Sequence, residues 1–421
     1  MKGFMAEKRY VIVGDGPAGI NAAEVLRSGD PESKILVIGQ ELTRPYSPTV
    51  LPYFISGKIK EKDLYLSRKG YFKNRRIDLI RGNGVVSVSP KEERAYLRDG
   101  SSLHFDTLVL AQGGSPIVPD IPGLRRGNPF VLRTLADAKR LRLKAGRASK
   151  AIVLGAGLIG MQTAQSLAEM GLSVRVVEMM EQVLPGYFDR KAAGIIQKVY
   201  ESHRVKFFFS TRIDEVEFKR GEYLLPIRGG KALEAPLLLV ATGVSPNIEI
   251  LRGSGIELDK GVLVDSAMRT NIPNIFAAGD VIQMEGFWKE GRVNQPILIH
   301  AVDQGRMAAA SALGEKVSHS GNISMNLFHF FGHLGLSIGL VFPDGGDRFD
   351  VHQTHLPSKK KYLRFVFDGD MLAGVMAINT VLDPGILLQM IRRRISLKGD
   401  KKEFLKRPLE VGRKRMCLNW R

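Results

Sequence analysis

Two glycine triplets are the residues best suited to hold a phosphate. Gly14, Gly16 and Gly19 lie in "GDGPAG", and Gly155, Gly157 and Gly160 in "GAGLIG". Each triplet follows a β-branched run, "RYVIV" or "KAIVL", and opens a helix-forming stretch. The first glycine of such a turn permits the sharp exit from the strand. The second lets backbone approach a pyrophosphate with no Cβ in the way, and the third lets the helix pack closely on the strand. The helix N-terminus then turns free N–H groups and a positive dipole end toward the phosphates. A second strand follows each triplet, "KILVIGQE" ending near Glu41 and "SVRVVEM" ending at Glu178. A carboxylate there accepts hydrogen bonds from ribose hydroxyls. One GxGxxG is a weak motif. Two, each with its strand, helix and carboxylate, point to two dinucleotide sites in one chain.

Three further positions could touch a cofactor. "DTLVLAQGGSPIVPDIPG" (106–123) and "PLLLVATGVSPN" (236–247) are apolar strands that end in small-residue turns and then proline. Gly113 and Gly243 in those turns let backbone pass close to a ligand. "TNIPNIFAAGDVI" (270–282) reads as a buried strand that stops at Gly279-Asp280. Asp280 would sit at the carboxyl edge of a parallel sheet, where ligands bind in such folds; the alternative is an ordinary turn aspartate.

These residues require an α/β scaffold. At 421 residues the chain exceeds one ordinary core, so two or three domains are expected. Its 44% apolar and 25% charged content is that of a globular protein, and 45 glycines favour tight turns over a helical bundle. The single cysteine, Cys417, excludes an internal disulfide, a Cys-ligated iron–sulfur site and a CxxC redox pair, and is compatible with a cytoplasmic setting. No metal site is expected. "MKGFMAEKRYVIVG" shows no apolar signal core. The run "NLFHFFGHLGLSIGLVF" is interrupted by His329, His333 and glycines, so it reads as strand and turn, not as a bilayer span. "KYLRFVFDGDMLAGVMAIN" alternates, turns at Asp368-Gly369 and alternates again, which predicts a hairpin.

On these motifs the chain resembles the FAD-dependent pyridine nucleotide-disulfide oxidoreductases and their relatives: NADH oxidases, coenzyme A disulfide reductases, ferredoxin and rubredoxin reductases, and nitrite reductase flavoproteins. The resemblance covers almost the whole chain. It implies two Rossmann-like dinucleotide-binding domains, the NAD domain inserted in the FAD domain, and an α+β C-terminal domain that often forms a dimer interface. The boundaries are 5–120 with 245–315 for FAD, 121–244 for NAD, and 320–421 for the last. By similarity Gly14, Gly16, Gly19, Glu41 and Gly113 would hold FAD. Asp280 would bind its ribityl chain, and the helix after "ILIHAVDQGR" would face the isoalloxazine. Gly155, Gly157, Gly160, Glu178 and Gly243 would hold NAD(H). Glu178 is followed by Met179, Met180 and Glu181, with no arginine for a 2′-phosphate, so NADH is favoured over NADPH.

Two departures bear on mechanism. In "RPYSPTVLPYFISGKI" Thr49 stands where the thiol-using branch of the family carries its redox cysteine. A hydroxyl with no adjacent base is a poor nucleophile and cannot be oxidised reversibly. Hydride from NADH would therefore pass to the flavin, and electrons would leave for an outside acceptor. After "GLIG", Gln162 replaces a glutamate that the family often places near the nicotinamide. The "RPPLSK"-like pattern of the oxygenase-linked reductases is also missing.

Net charge is +19, and residues 391–421 hold twelve Lys/Arg against three Asp/Glu, including "RRR" and "RKR". One reading is a solvated, partly disordered tail. The other is a docking element for an acidic ferredoxin-like or iron–sulfur protein or subunit, in a homodimer or hetero-oligomeric complex. The length, "LPYFISG" and "QVLPGYFD" resemble the NADH-linked flavoprotein subunit of phenylglyoxylate-type 2-oxoacid dehydrogenase complexes. Other readings stay open: a stand-alone NADH oxidase, a rubredoxin or nitrite reductase-type flavoprotein, or a basic DNA-binding flavoprotein. Phe404 and Trp420 are the only aromatics of the tail, too few for a base-stacking platform. "GILLQMIRRRISL" (385–397) is compatible with an interfacial helix, though a helix docked on the protein fits it better.

Overall fold

The computed structural model describes residues 8–288, 291–343 and 348–419; Trp420, Arg421 and the start of the expected first domain at residue 5 lie outside these. The chain divides into two compact units, 1–51 with 59–115 and 244–322, and 52–58 with 116–243 and 323–421.

The first unit is built on a five-stranded parallel sheet in the order Ile275–Ala277, Thr107–Leu110, Arg9–Val13, Lys34–Gly39, Ile77–Arg81. The central strands read as apolar runs because both of their faces are covered, and Val11, Ile12, Val37, Leu108 and Val109 are wholly buried. From Arg9–Val13 the chain passes through the helix Pro17–Gly29 to the neighbouring strand Lys34–Gly39, then outward to Ile77–Arg81. It later returns to the opposite side of Arg9–Val13 with Thr107–Leu110. Strand order therefore reverses at Arg9–Val13, and the carboxyl ends open a crevice there. The helix Leu298–Ala312 crosses Pro17–Gly29 closely: a Cβ at Gly305 would lie 2.2 Å from the Ala18 carbonyl oxygen. "ILIHAVDQGR" belongs to this helix itself, with Ile297 as its N-cap.

The second unit repeats the pattern. Val205–Phe208, Ser173–Val177, Lys150–Leu154 and Leu238–Val240 form a four-stranded parallel sheet. The helix Leu158–Glu169 joins the two central strands. The same unit contains a five-stranded antiparallel sheet in the order Met325–Phe330, His333–Gly339, Met371–Ile378, Lys361–Asp368, Phe349–Leu356. It contains both the strand-and-turn read from "NLFHFFGHLGLSIGLVF" and the hairpin at Asp368-Gly369.

The basic C-terminal stretch is folded over its described residues, so the disordered-tail reading is corrected. It contains the helices Pro384–Arg392, Lys401–Lys406 and Pro408–Leu418. Leu397 and Phe404 are fully buried. The apolar side of Pro384–Arg392, with Leu387, Leu388, Met390 and Ile391, is likewise buried in the protein. That leaves no apolar stripe for a membrane surface. Much of the charge is locally paired, as in Arg415 with Asp400 at 2.8 Å and Lys401 with Asp350 at 2.8 Å.

Candidate functional site

The two glycine-rich turns are built alike. Gly14 has φ +111° and Gly155 φ +103°, left-handed values that disfavour any side chain. A Cβ at Gly14 would lie 2.1 Å from the Ala111 carbonyl oxygen, and one at Gly155 would lie 2.3 Å from that of Ala241. Gly19 and Gly160 abut the carbonyls of Gly14 and Gly155, where a Cβ would come within 1.9 and 2.1 Å. At Gly16 and Gly157, by contrast, a Cβ would meet nothing within 4 Å. These two residues are the N-caps of Pro17–Gly29 and Leu158–Glu169, with no side-chain cap on the first-turn amides. Open space beside uncapped N–H groups is the form of an anion cradle.

The carboxylates are fixed differently in the two units. Glu178 accepts the Ala156 amide at 2.7 Å and the Met180 amide at 2.9 Å, one on each oxygen. This holds the half-exposed carboxylate over the second glycine turn, with lone pairs left for ribose hydroxyls. Glu41 is held by the buried Tyr46, whose hydroxyl donates at 2.7 Å. Residue 15, which occupies the place of Ala156, is an aspartate lying against Gly39, where a Cβ would fall 2.4 Å from Asp15 Oδ2. Burial, with Glu41 alongside, pushes its carboxyl up to about 6 against the pull of its own amide and of Arg81.

Gly113 has φ +65° and its carbonyl accepts the Asn247 amide at 2.9 Å. The Asn247 side chain donates to the Gln112 carbonyl at 2.9 Å and accepts from the Ser115 hydroxyl at 2.7 Å. Gly243, φ +126°, accepts the Ile117 amide at 2.9 Å in the second unit. Asp280 is the middle residue of the turn Gly279–Val281 that follows Ile275–Ala277, and the Gly279 amide donates to the buried Gln304 at 2.9 Å.

Thr49 lies in a short turn, Pro48–Val50, with its hydroxyl 2.9 Å from that of Ser47. A hydroxyl beside a hydroxyl is not an activated nucleophile. Cys417 is exposed near the end of the helix Pro408–Leu418. In the second unit Gln162 lines a small polar pocket of about 10 Å³ with Tyr53, Lys58, Gln165, Glu169 and His329. Glu169 there accepts from Lys58 at 2.7 Å and from Gln165 at 2.8 Å.

Sequence reasoning missed Asp15, Thr43, Gln112, Asn247, Gln295 and the Lys58–Glu169 pair. Gln165 and Glu169, four apart on a helix, were open to detection. The others carry no local signal. Thr43 Oγ1, Gln112 Oε1 and Gln295 Oε1 are buried in the first unit without a hydrogen-bond partner. Buried polar atoms of this kind are satisfied by something, and a polar cofactor would supply the missing donors. With the open cradle at Gly16, they fit FAD. Among the described residues no group of His, Cys, Asp or Glu could hold a metal ion, and no helix is long and apolar enough to cross a membrane.

Comparison with known proteins defines the class. Residues 8–309 match the pyridine nucleotide-disulphide oxidoreductase family, and the chain belongs to it. It is an FAD- and NAD(H)-dependent oxidoreductase. The chain is 37% identical over 420 residues to the NADH-dependent phenylglyoxylate dehydrogenase subunit epsilon of Aromatoleum evansii, covering 98% of each. It is 33% identical over 315 residues to the NADH oxidase of Methanocaldococcus jannaschii, covering 73% of this chain and 70% of that one. Its fold matches the putidaredoxin reductase–putidaredoxin complex with TM-score 0.84 and 23% identity, over 93% of this chain and 94% of that one.

Proposed function

We propose that this chain is the NADH-linked flavoprotein subunit of a 2-oxoacid dehydrogenase complex of the phenylglyoxylate type, passing electrons between NAD(H) and an iron–sulfur protein or subunit. The near end-to-end similarity to the epsilon subunit carries the reading. In it Gly14, Gly16, Gly19, Glu41, Gly113 and Asp280 hold FAD within residues 5–120 and 245–315. Gly155, Gly157, Gly160, Glu178 and Gly243 hold NADH within residues 121–244, and residues 320–421 form an interface domain.

FAD, when bound, takes a hydride from NADH and can release the electrons singly, which suits an iron–sulfur acceptor. The residues of the chain bind and orient. Glu178 orients the adenosine ribose of NADH, and its charge opposes a 2′-phosphate by roughly 1–4 kcal/mol at about 4 Å. Thr49 supports no sulfur relay, so electrons leave toward a partner. The basic C-terminal helices give an acidic partner a favourable encounter.

Native purification with identification of the accompanying subunits tests this. A thiamine-dependent or ferredoxin-like subunit is expected. A second reading, a stand-alone NADH oxidase, is supported by the similarity to the archaeal enzyme. Brisk NADH-driven peroxide formation by the isolated chain, with no co-purifying subunit, would favour it.

A further inference from the structure

The two nucleotide turns differ at one chemically active position. In the second, Ala156 places its amide on Glu178. In the first, the equivalent Asp15 brings a second carboxyl beside Glu41, at the mouth of the turn that would hold the FAD pyrophosphate. The aspartate is partly buried, and its carboxyl is seated on the bare backbone of Gly39 at the end of Lys34–Gly39, two residues before Glu41. The charged groups facing it are Glu41, which follows that strand, and Arg81, which ends Ile77–Arg81. Tyr46 donates to Glu41.

A dinucleotide adds phosphate charge to this cleft. A carboxylate at residue 15 would then face Glu41 and the phosphates with one guanidinium to offset two carboxylates and two phosphates. A protonated carboxyl has no such conflict, and it supplies a donor where Glu41 and the phosphates only accept. We infer that Asp15 is a proton-carrying contact of the FAD site, taking up one proton as FAD binds, so that cofactor affinity falls as pH rises. The inference rests on the assignment of the first turn to FAD. It agrees with the raised affinity of this carboxyl for a proton already present without cofactor.

The test is FAD retention by the full chain, deflavinated and titrated with FAD between pH 6.5 and 8, following quenching of flavin fluorescence. One linked proton makes Kd rise by up to about tenfold per pH unit. Calorimetric titration in buffers of different ionisation enthalpy should give close to one proton taken up. In Asp15→Asn and Asp15→Ser, which cannot titrate, Kd is flat across the range and proton uptake is lost. A flat profile in the native chain, or a slope retained in both variants, overturns the inference while leaving the FAD site standing. Failure of the native chain to bind FAD at any of these pH values overturns the cofactor assignment and the inference with it.

Discussion

Replacing Glu178 by glutamine examines the NAD half of the molecule with the least disturbance. Both carboxylate oxygens already accept backbone amides, Ala156 at 2.7 Å and Met180 at 2.9 Å. A glutamine in the same pose must turn its NH2 toward one of those N–H groups, so at least one of the two bonds is lost. The remaining lone pairs would serve ribose hydroxyls, and a charged acceptor there contributes about 1.5–3 kcal/mol. Losing one such bond corresponds to about a 10- to 150-fold weaker NADH complex. Flavin content stays at the native level because the residue belongs to the second unit. The assay pairs the dissociation constant for NAD+, by calorimetry, with KM for NADH in dye reduction, each normalised to bound flavin. An NAD+ affinity within twofold of the native chain would refute the role given to Glu178.

Other outcomes follow from the same geometry. Gly14→Ala forces a side chain into φ +111° and onto the Ala111 carbonyl, so it should lose FAD and purify colourless; Gly155→Ala, at φ +103°, should stay yellow while KM for NADH rises at least about tenfold. Thr49→Ala should keep NADH-driven dye reduction within about twofold of native, because its hydroxyl contacts only another hydroxyl among the bonds that define the turn. A loss of more than about tenfold would show that Thr49 takes part in the chemistry. The raised carboxyl of Asp15 makes the folded, deflavinated chain the better proton binder. Its stabilising contribution is full below the ordinary aspartate range and lost as pH rises through about 6. Urea unfolding between pH 4 and 7 should show Asp15→Asn gaining on the native chain by up to about 3 kcal/mol over that window.

Much of the scaffold was legible because it is written in local signals. A β-branched run, three glycines at fixed spacing and a helix-forming stretch need no distant partner to be recognised, and both copies fold as read. The hairpin at Asp368-Gly369 was visible for the same reason, through its alternation and its turn residues. What stayed hidden depends on contacts across long stretches of chain. Asp15 matters because Gly39, beyond a whole helix, offers it bare backbone, and because Glu41 lies next to it. The Gln112–Asn247 bonds join residues 135 apart. The basic tail misled in the opposite way: its charge density suggests disorder, yet Leu397 and Phe404 are fully buried and Met416 nearly so. Their apolar spacing is sparse, and only the neighbouring sheet and helices show what they pack on.

In the function proposed above, a flavin and a nicotinamide carry all the redox chemistry of this chain, with no sulfur between flavin and acceptor. The deciding measurement is anaerobic titration of the purified holoprotein with NADH, following the visible absorption band of the flavin. Complete bleaching at one NADH per FAD is expected, with restoration of the band by an added iron–sulfur acceptor. A requirement for two NADH per FAD would reveal a further redox group in the chain and contradict it.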